Sequence, residues 1–233
     1  MVDVRQFYIG KMPIVEFGEK CDKVIIFVHG LRGSSADAEP LADIATKHGY
    51  QILAVNLPEH GNRLDDAKLV PWTGVPELKE VALFAKKKWR SICVCAVSIG
   101  AWFSAFSFLS VNVDKYLLIS PLLNMNDMIN RLMLAAGVTE DRLRKEKNIE
   151  TGFGQTLSYD YLTWVQNNPI NFPYGKAVIL RAEYDEIVPL ATVKDFADKF
   201  NCRLDVMPGG EHWFHTPEQV LYLKNWFDRE IIV

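Results

Sequence analysis

The sequence predicts an α/β fold, with a mostly parallel central sheet, helices on both faces and one helical insertion. Three observations carry that prediction. Short apolar runs at 24–28 and 92–97 read as strands buried on both faces. Helix-compatible stretches separate the strand-like runs, and repeated strand–helix units imply a parallel sheet covered on both sides. The alternation stops after Pro121 and resumes at Lys176, which sets residues 122–172 apart from core segments 1–121 and 173–233.

Residues 4–17 alternate loosely around Gly10-Lys11-Met12-Pro13 and read as strand, turn and strand. After the strand at 24–28, Ser34 or Ser35 caps a helix running to about His48, which Gly49 stops. A strand at 51–57 leads into the turn Pro58-Glu59-His60-Gly61. Pro76 opens a helix reaching about Trp89, and Lys86-Lys87-Lys88 lie at its end, where cations suit the helix dipole. A strand at 92–97, a helix at 99–110 and a strand at 113–120 follow. The insertion holds three helix-like pieces near 124–136, 139–147 and 158–167, punctuated by Gly137 and Gly152-Phe153-Gly154. Strand-like runs at 177–180 and 203–207 then precede a last helix. Its opening, Thr216-Pro217-Glu218-Gln219, is a capping-box pattern with proline at the first helical position.

At 233 residues and 49% apolar composition the chain can bury one sizeable core and is too apolar for disorder. A net charge of −3 with neither sign clustered leaves no electrostatic footprint for nucleic acid. The four cysteines form no metal or redox signature. Cys93 and Cys95 point to the same face of one strand and are poorly placed to pair, while Cys21 and Cys202 are isolated. Free thiols in a reducing compartment are expected. Met1-Val2-Asp3-Val4-Arg5 lacks the basic start and apolar core of a signal peptide. No apolar run approaches the ~20 residues of a membrane span. The expectation is a cytoplasmic chain without a membrane span, metal or cofactor.

The chemistry-bearing stretch is Ala96-Val97-Ser98-Ile99-Gly100, which joins an apolar strand to a helix. A serine between small residues at such a junction resembles the nucleophile elbow of the α/β-hydrolases. The usual pattern has glycine two residues before the serine, and Ala96 departs from it by one methyl group. His29-Gly30-Leu31-Arg32-Gly33 follows the early strand, as an oxyanion loop would. Asp185, in Ala182-Glu183-Tyr184-Asp185-Glu186-Ile187-Val188-Pro189, and His212, in Pro208-Gly209-Gly210-Glu211-His212-Trp213, follow later strands. The order Ser98, Asp185, His212 is that of the α/β-hydrolases and not of the chymotrypsin-like or subtilisin-like enzymes. The chain resembles the superfamily over nearly all its length.

That resemblance implies Ser98 as nucleophile, His212 as its base and Asp185 as the acid orienting the imidazole. It also implies an oxyanion hole from the backbone N–H groups of Leu31 and Ile99, helped by the positive N-terminus of the following helix. His29 and His60 are then turn formers. Each assignment has a competitor: Ser98 as a plain helix cap, His215 in place of His212, Glu183 or Glu186 in place of Asp185. Arg32 faces solvent by default, and binds a carboxylate if it faces the pocket.

An insertion at 122–172 resembles the cap of many α/β-hydrolases. It carries Met125, Met128, Leu132, Met133, Phe153, Tyr159, Tyr161 and Trp164, which at helical spacing serve either as core or as an apolar acyl wall. Met128, Met133 and Trp164 are the candidate substrate contacts. The activity implied is hydrolysis of small-molecule carboxylic esters through an acyl-enzyme. An amidase, thioesterase or peptidase would use the same triad, and a binding protein could retain the fold without chemistry.

Overall fold

A computed structural model describes residues 2–173 and 175–232. In chain order the elements are β1 (Val4–Ile9), β2 (Met12–Phe17), β3 (Lys23–Val28), a 3-10 turn (Ser35–Ala38), α1 (Glu39–Lys47), β4 (Gln51–Val55), α2 (Pro71–Lys88), β5 (Ser91–Val97), α3 (Ile99–Ser107) and β6 (Lys115–Ile119). Then come α4 (Met125–Ala135), α5 (Glu140–Glu146), β7 (Asn148–Glu150), β8 (Thr156–Ser158) and α6 (Tyr159–Asn167). The chain ends with β9 (Ala177–Ala182), α7 (Leu190–Phe200), β10 (Arg203–Met207) and α8 (Pro217–Glu230). They fall into two compact units, residues 2–123 with 172–232 and residues 124–171.

The larger unit is built on an eight-stranded sheet in the order β1-β2-β4-β3-β5-β6-β9-β10. The β1–β2 and β2–β4 pairs are antiparallel and every pair from β4 to β10 is parallel. Side-chain alternation sorts the strands' residues into two faces. Ile25, Phe27, Ile52, Ala54, Cys93, Cys95, Leu117 and Ile119 share one core with Leu41, Ala42 and Ala45 of α1 and Trp226 and Phe227 of α8. The intervening Val24, Ile26, Val28, Val94 and Ala96 are also buried, and α3 packs on β3 and β5 with α2 against it. Strands dry on both faces explain the unbroken apolar runs. From β3 the chain steps outward to β4 and then returns across β3 to β5. Such reversals make the crevice at the strands' carboxyl ends where ligands bind in α/β sheets.

Four elements differ from the sequence reading. The helix expected after Ser34 or Ser35 opens as the 3-10 turn, which Ser34 caps, and α1 begins only at Glu39, behind Ala38, which makes no side-chain cap bond. Helix α2 starts at Pro71, not Pro76. Pro71 takes the first helical position, where a missing N–H costs nothing. Pro76 lies inside the helix, which tertiary packing holds together: a Cβ on Gly74 would stand 2.8 Å from the Phe103 ring of α3. β4 ends at Val55: the Asn56 N–H still reaches Pro13 O of β2 at 3.2 Å, but the chain then turns to other partners. Asn56 Oδ1 accepts from the Ser35 N–H at 2.6 Å, and the Leu57 N–H donates to His29 Nε2 at 3.0 Å. α3 ends at Ser107, three residues early, with Phe108 as its C-cap.

The smaller unit contains the three helices α4, α5 and α6, each capped by a side chain, from Asn124, Thr139 and Ser158. It also contains a β7–β8 hairpin that helical periodicity did not disclose, with Gly154 at φ 80° in its turn. Ile129, Met133, Leu143, Leu157, Leu162 and Val165 are buried. Among the described residues no helix is long and apolar enough to cross a membrane. Cys21, Cys93, Cys95 and Cys202 are free thiols. Burial pushes Cys93 up to about 11 and Cys95 up as well, so both stay protonated.

Candidate active site

Ser98 directly follows central strand β5 and sits at φ 49°, ψ −118°, a region that side chains rarely enter. Such a conformation costs about 1–3 kcal/mol and persists only where the surroundings over-determine it. Here they do. The Ser98 N–H donates to Ile119 O at 3.0 Å, and its carbonyl accepts from Leu122 N at 3.0 Å and Ala101 N at 3.1 Å. Gly100 makes the turn sterically possible, because a Cβ there would overlap His29 O and stand 2.6 Å from Val28 O. Ala96, by contrast, is fully buried with its methyl group accommodated.

The strained turn points Oγ at His212. His212 Nε2 lies 3.1 Å from Ser98 Oγ, and His212 Nδ1 lies 2.7 Å from Asp185 Oδ2. A nitrogen facing a carboxylate carries the proton, so Nδ1–H donates to Asp185 and Nε2 is left to accept from the serine hydroxyl. All three residues are buried. Asp185 Oδ1, its other oxygen, accepts from the Ile187 N–H at 3.0 Å and the Val188 N–H at 2.9 Å. Those bonds explain the Asp-x-x-Val-Pro spacing: the turn folds its own amides onto the carboxylate and fixes its orientation.

The competitors are placed elsewhere. His215 is exposed, with Nδ1 3.6 Å from Glu211, and its N–H donates to Gln219 Oε1 at 3.0 Å at the start of α8. Glu186 is exposed. Glu183 Oε2 accepts from the Gly209 N–H at 2.7 Å and so clips the acid loop to the loop that carries His212.

The loop after β3 lies against the serine, since a Cβ on Gly30 would be 3.3 Å from Ser98 Cβ. The N–H groups of Leu31 and Ile99 meet no protein acceptor among the described residues. Arg32, exposed and at φ 64°, lines a cavity beside His212. Met133 is buried and Met128 and Trp164 are half-buried within the smaller unit.

Two residues matter more than the sequence disclosed. His29 is a brace: Nδ1–H donates to Gly30 O at 2.7 Å while Nε2 accepts from the Leu57 N–H. This ties the loop after β3 to the end of β4. Burial, with a smaller push from His60, lowers its pKa from 6.5 to about 4. Between those values the unfolded chain binds a proton that the folded chain refuses. The stability linked to His29 is therefore complete above pH ~6.5 and falls by on the order of 3 kcal/mol as pH drops toward ~4. Urea titrations across that range should show a shallower loss in His29→Asn than in the parent.

Arg181 is the second. Its buried guanidinium donates to the carbonyls of Ala182, Glu183, Asp185 and Val188, at 3.1 Å for Glu183 and 3.2 Å for Asp185. It thus gathers the acid turn around one fixed group. The available signal was a lone arginine inside an otherwise apolar strand, where a buried charge demands partners. Among the described residues no cluster of three His, Cys, Asp or Glu side chains is arranged to hold a metal.

The fold has solved counterparts. The chain is similar to alpha/beta hydrolase domain-containing protein 10 from mouse, with a TM-score of 0.76 and 13% identity over 98% of each chain. It is also similar to Est1E from Butyrivibrio proteoclasticus with ferulic acid bound, with a TM-score of 0.72 and 18% identity over 98% of this chain and 100% of that one. A third counterpart is a soluble variant of monoglyceride lipase from Saccharomyces cerevisiae in complex with a substrate analog. There the TM-score is 0.68 and the identity 13%, over 98% of this chain and 95% of that one. No protein-family model and no curated protein sequence matches the chain.

Proposed function

The chain has the α/β-hydrolase fold, and from that premise we propose that it is a serine hydrolase of small-molecule carboxylic esters, working through an acyl-enzyme. The observation that carries the reading is the unbroken hydrogen-bonded line Ser98–His212–Asp185 in buried surroundings. His212 Nε2 takes the hydroxyl proton as Ser98 Oγ attacks the ester carbonyl, and Asp185 stabilises the imidazolium that forms. The oxyanion is met by the N–H groups of Leu31 and Ile99 at the N-terminus of α3. When the intermediate collapses, the C–O bond to the alcohol breaks and Nε2–H protonates the departing oxygen. Water then repeats the sequence on the acyl-enzyme, giving the acid and free serine.

Reading the site as a serine hydrolase is tested with para-nitrophenyl esters of graded chain length and a fluorophosphonate probe. Turnover with labelling at Ser98 alone supports it. Labelling at another serine, or none with the fold intact, removes it. A chain that only binds ligands would leave every ester intact.

The same proposal gives residues 122–172 influence over acyl choice while the chemistry stays in the core, because the segment interrupts the chain between Ser98 and Asp185. Trimming Met128, Met133 or Trp164 to alanine should shift the preferred chain length by a graded amount, ~1–3 kcal/mol per methylene mismatch. A chain-length profile unchanged across all three folded variants would assign these residues to packing alone.

A further inference from the structure

A cavity of about 560 Å³ lies beside His212, lined wholly by the larger unit. Its floor is apolar, made by Phe27, Val97, Ile119 and Phe214 from the α1/α8 side of the sheet. Two cations line the same space. Arg32 comes from the loop after β3, and Lys224 comes from α8, one turn beyond the lining residue Val220. Among the described residues neither is held in an ion pair. The one carboxylate in the lining, Asp37, is turned to the backbone, its Oδ2 accepting from the Ser34 N–H at 3.1 Å.

Arg32 also occupies a left-handed conformation, φ 64°, that glycine or asparagine would adopt at lower cost. That conformation belongs to the loop after β3 and places the Arg32 side chain in the same lining as His212. A hydrocarbon arm filling the cavity would cover its apolar lining and leave both cations without a partner. An apolar arm ending in an anion would cover the apolar lining and pair with the two cations together.

We propose that the site takes esters bearing a carboxylate on an apolar arm, held by Arg32 and Lys224. This rests on Ser98 being the nucleophile beside the cavity. The arm is either the acyl or the alkoxy side of the ester, and paired substrates separate the two. On the acyl side, para-nitrophenyl octanoate is compared with mono-para-nitrophenyl suberate. On the alkoxy side, hexyl butyrate is compared with butyryloxyhexanoate.

At low ionic strength the anionic member of one pair should have the larger kcat/KM, by about tenfold, since each solvent-accessible charge contact is worth roughly two- to fivefold. The difference should lie in KM, shrink with added salt, and fall toward parity in Arg32→Gln/Lys224→Gln. Parity within both pairs, or a preference that survives the double variant, overturns the proposal. Calorimetry of suberate with Ser98→Ala reads the same pocket without turnover. Binding that weakens about tenfold when the two cations are also removed supports the assignment even if all four esters prove inert, in which case only the hydrolase reading falls. Suberate binding that is absent, or indifferent to Arg32 and Lys224, overturns it.

Discussion

Ser98→Ala is expected to lower ester turnover by on the order of 10³-fold or more and to abolish fluorophosphonate labelling, without loss of the fold. On the proposed assignment a residual rate is expected, because the Leu31 and Ile99 N–H groups stay in place when Oγ is removed and an oxyanion hole alone retains part of the catalysis. Stability should barely change, because alanine keeps the Cβ and the same backbone conformation. Ser98→Gly separates the two effects. It is equally inactive, yet it relaxes the φ 49°, ψ −118° turn and should unfold at higher denaturant than Ser98→Ala. Comparable denaturation midpoints for the two variants would show that the turn stores no strain.

The features legible in the sequence are those set by local patterns. Runs 24–28 and 92–97 could be read as strands because both faces are dry, and the chain order of Ser98, Asp185 and His212 could be read because each follows a strand. Asn124, Thr139, Ser158 and Thr216 cap their α-helices, and Ser34 the 3-10 turn before α1, through their own side chains, so those starts carry a local chemical signature. The α2 start at Pro71 carries none that outweighs Pro76, since the close fit of Gly74 on Phe103 is a contact between helices far apart in sequence. The β7–β8 hairpin is not legible in the sequence, because strands of three residues are too short to show a period. Arg181 and His29 act on backbone carbonyls and amides, partners that no side-chain motif reveals. The cavity draws on β3, β5, β6, α1 and α8, so only the assembled core brings Arg32 and Lys224 to one space.

Asp185→Asn is expected to fold normally and to lose on the order of 10⁴ in kcat. The size of the loss follows from how the carboxylate is held. Oδ1 accepts from two backbone amides, Ile187 N–H and Val188 N–H, and only an oxygen can take that place. The asparagine must therefore keep its carbonyl oxygen on the turn and present its NH₂ group to His212, 2.7 Å away. That group donates, so His212 Nδ1 must become the acceptor and the ring proton moves to Nε2. Nε2–H then faces Ser98 Oγ at 3.1 Å and has no lone pair with which to take the hydroxyl proton. The geometry survives and the tautomer is wrong. Glu183→Gln and Glu186→Gln should remain within a few-fold of the parent, because neither carboxylate contacts the imidazole. The decisive measurement is the pH dependence of the residual rate. Hydroxide can remove the serine proton where the imidazole no longer does, so Asp185→Asn should recover activity steadily toward high pH. A variant that stays within tenfold of the parent at neutral pH would show that His212 is oriented by something other than this carboxylate.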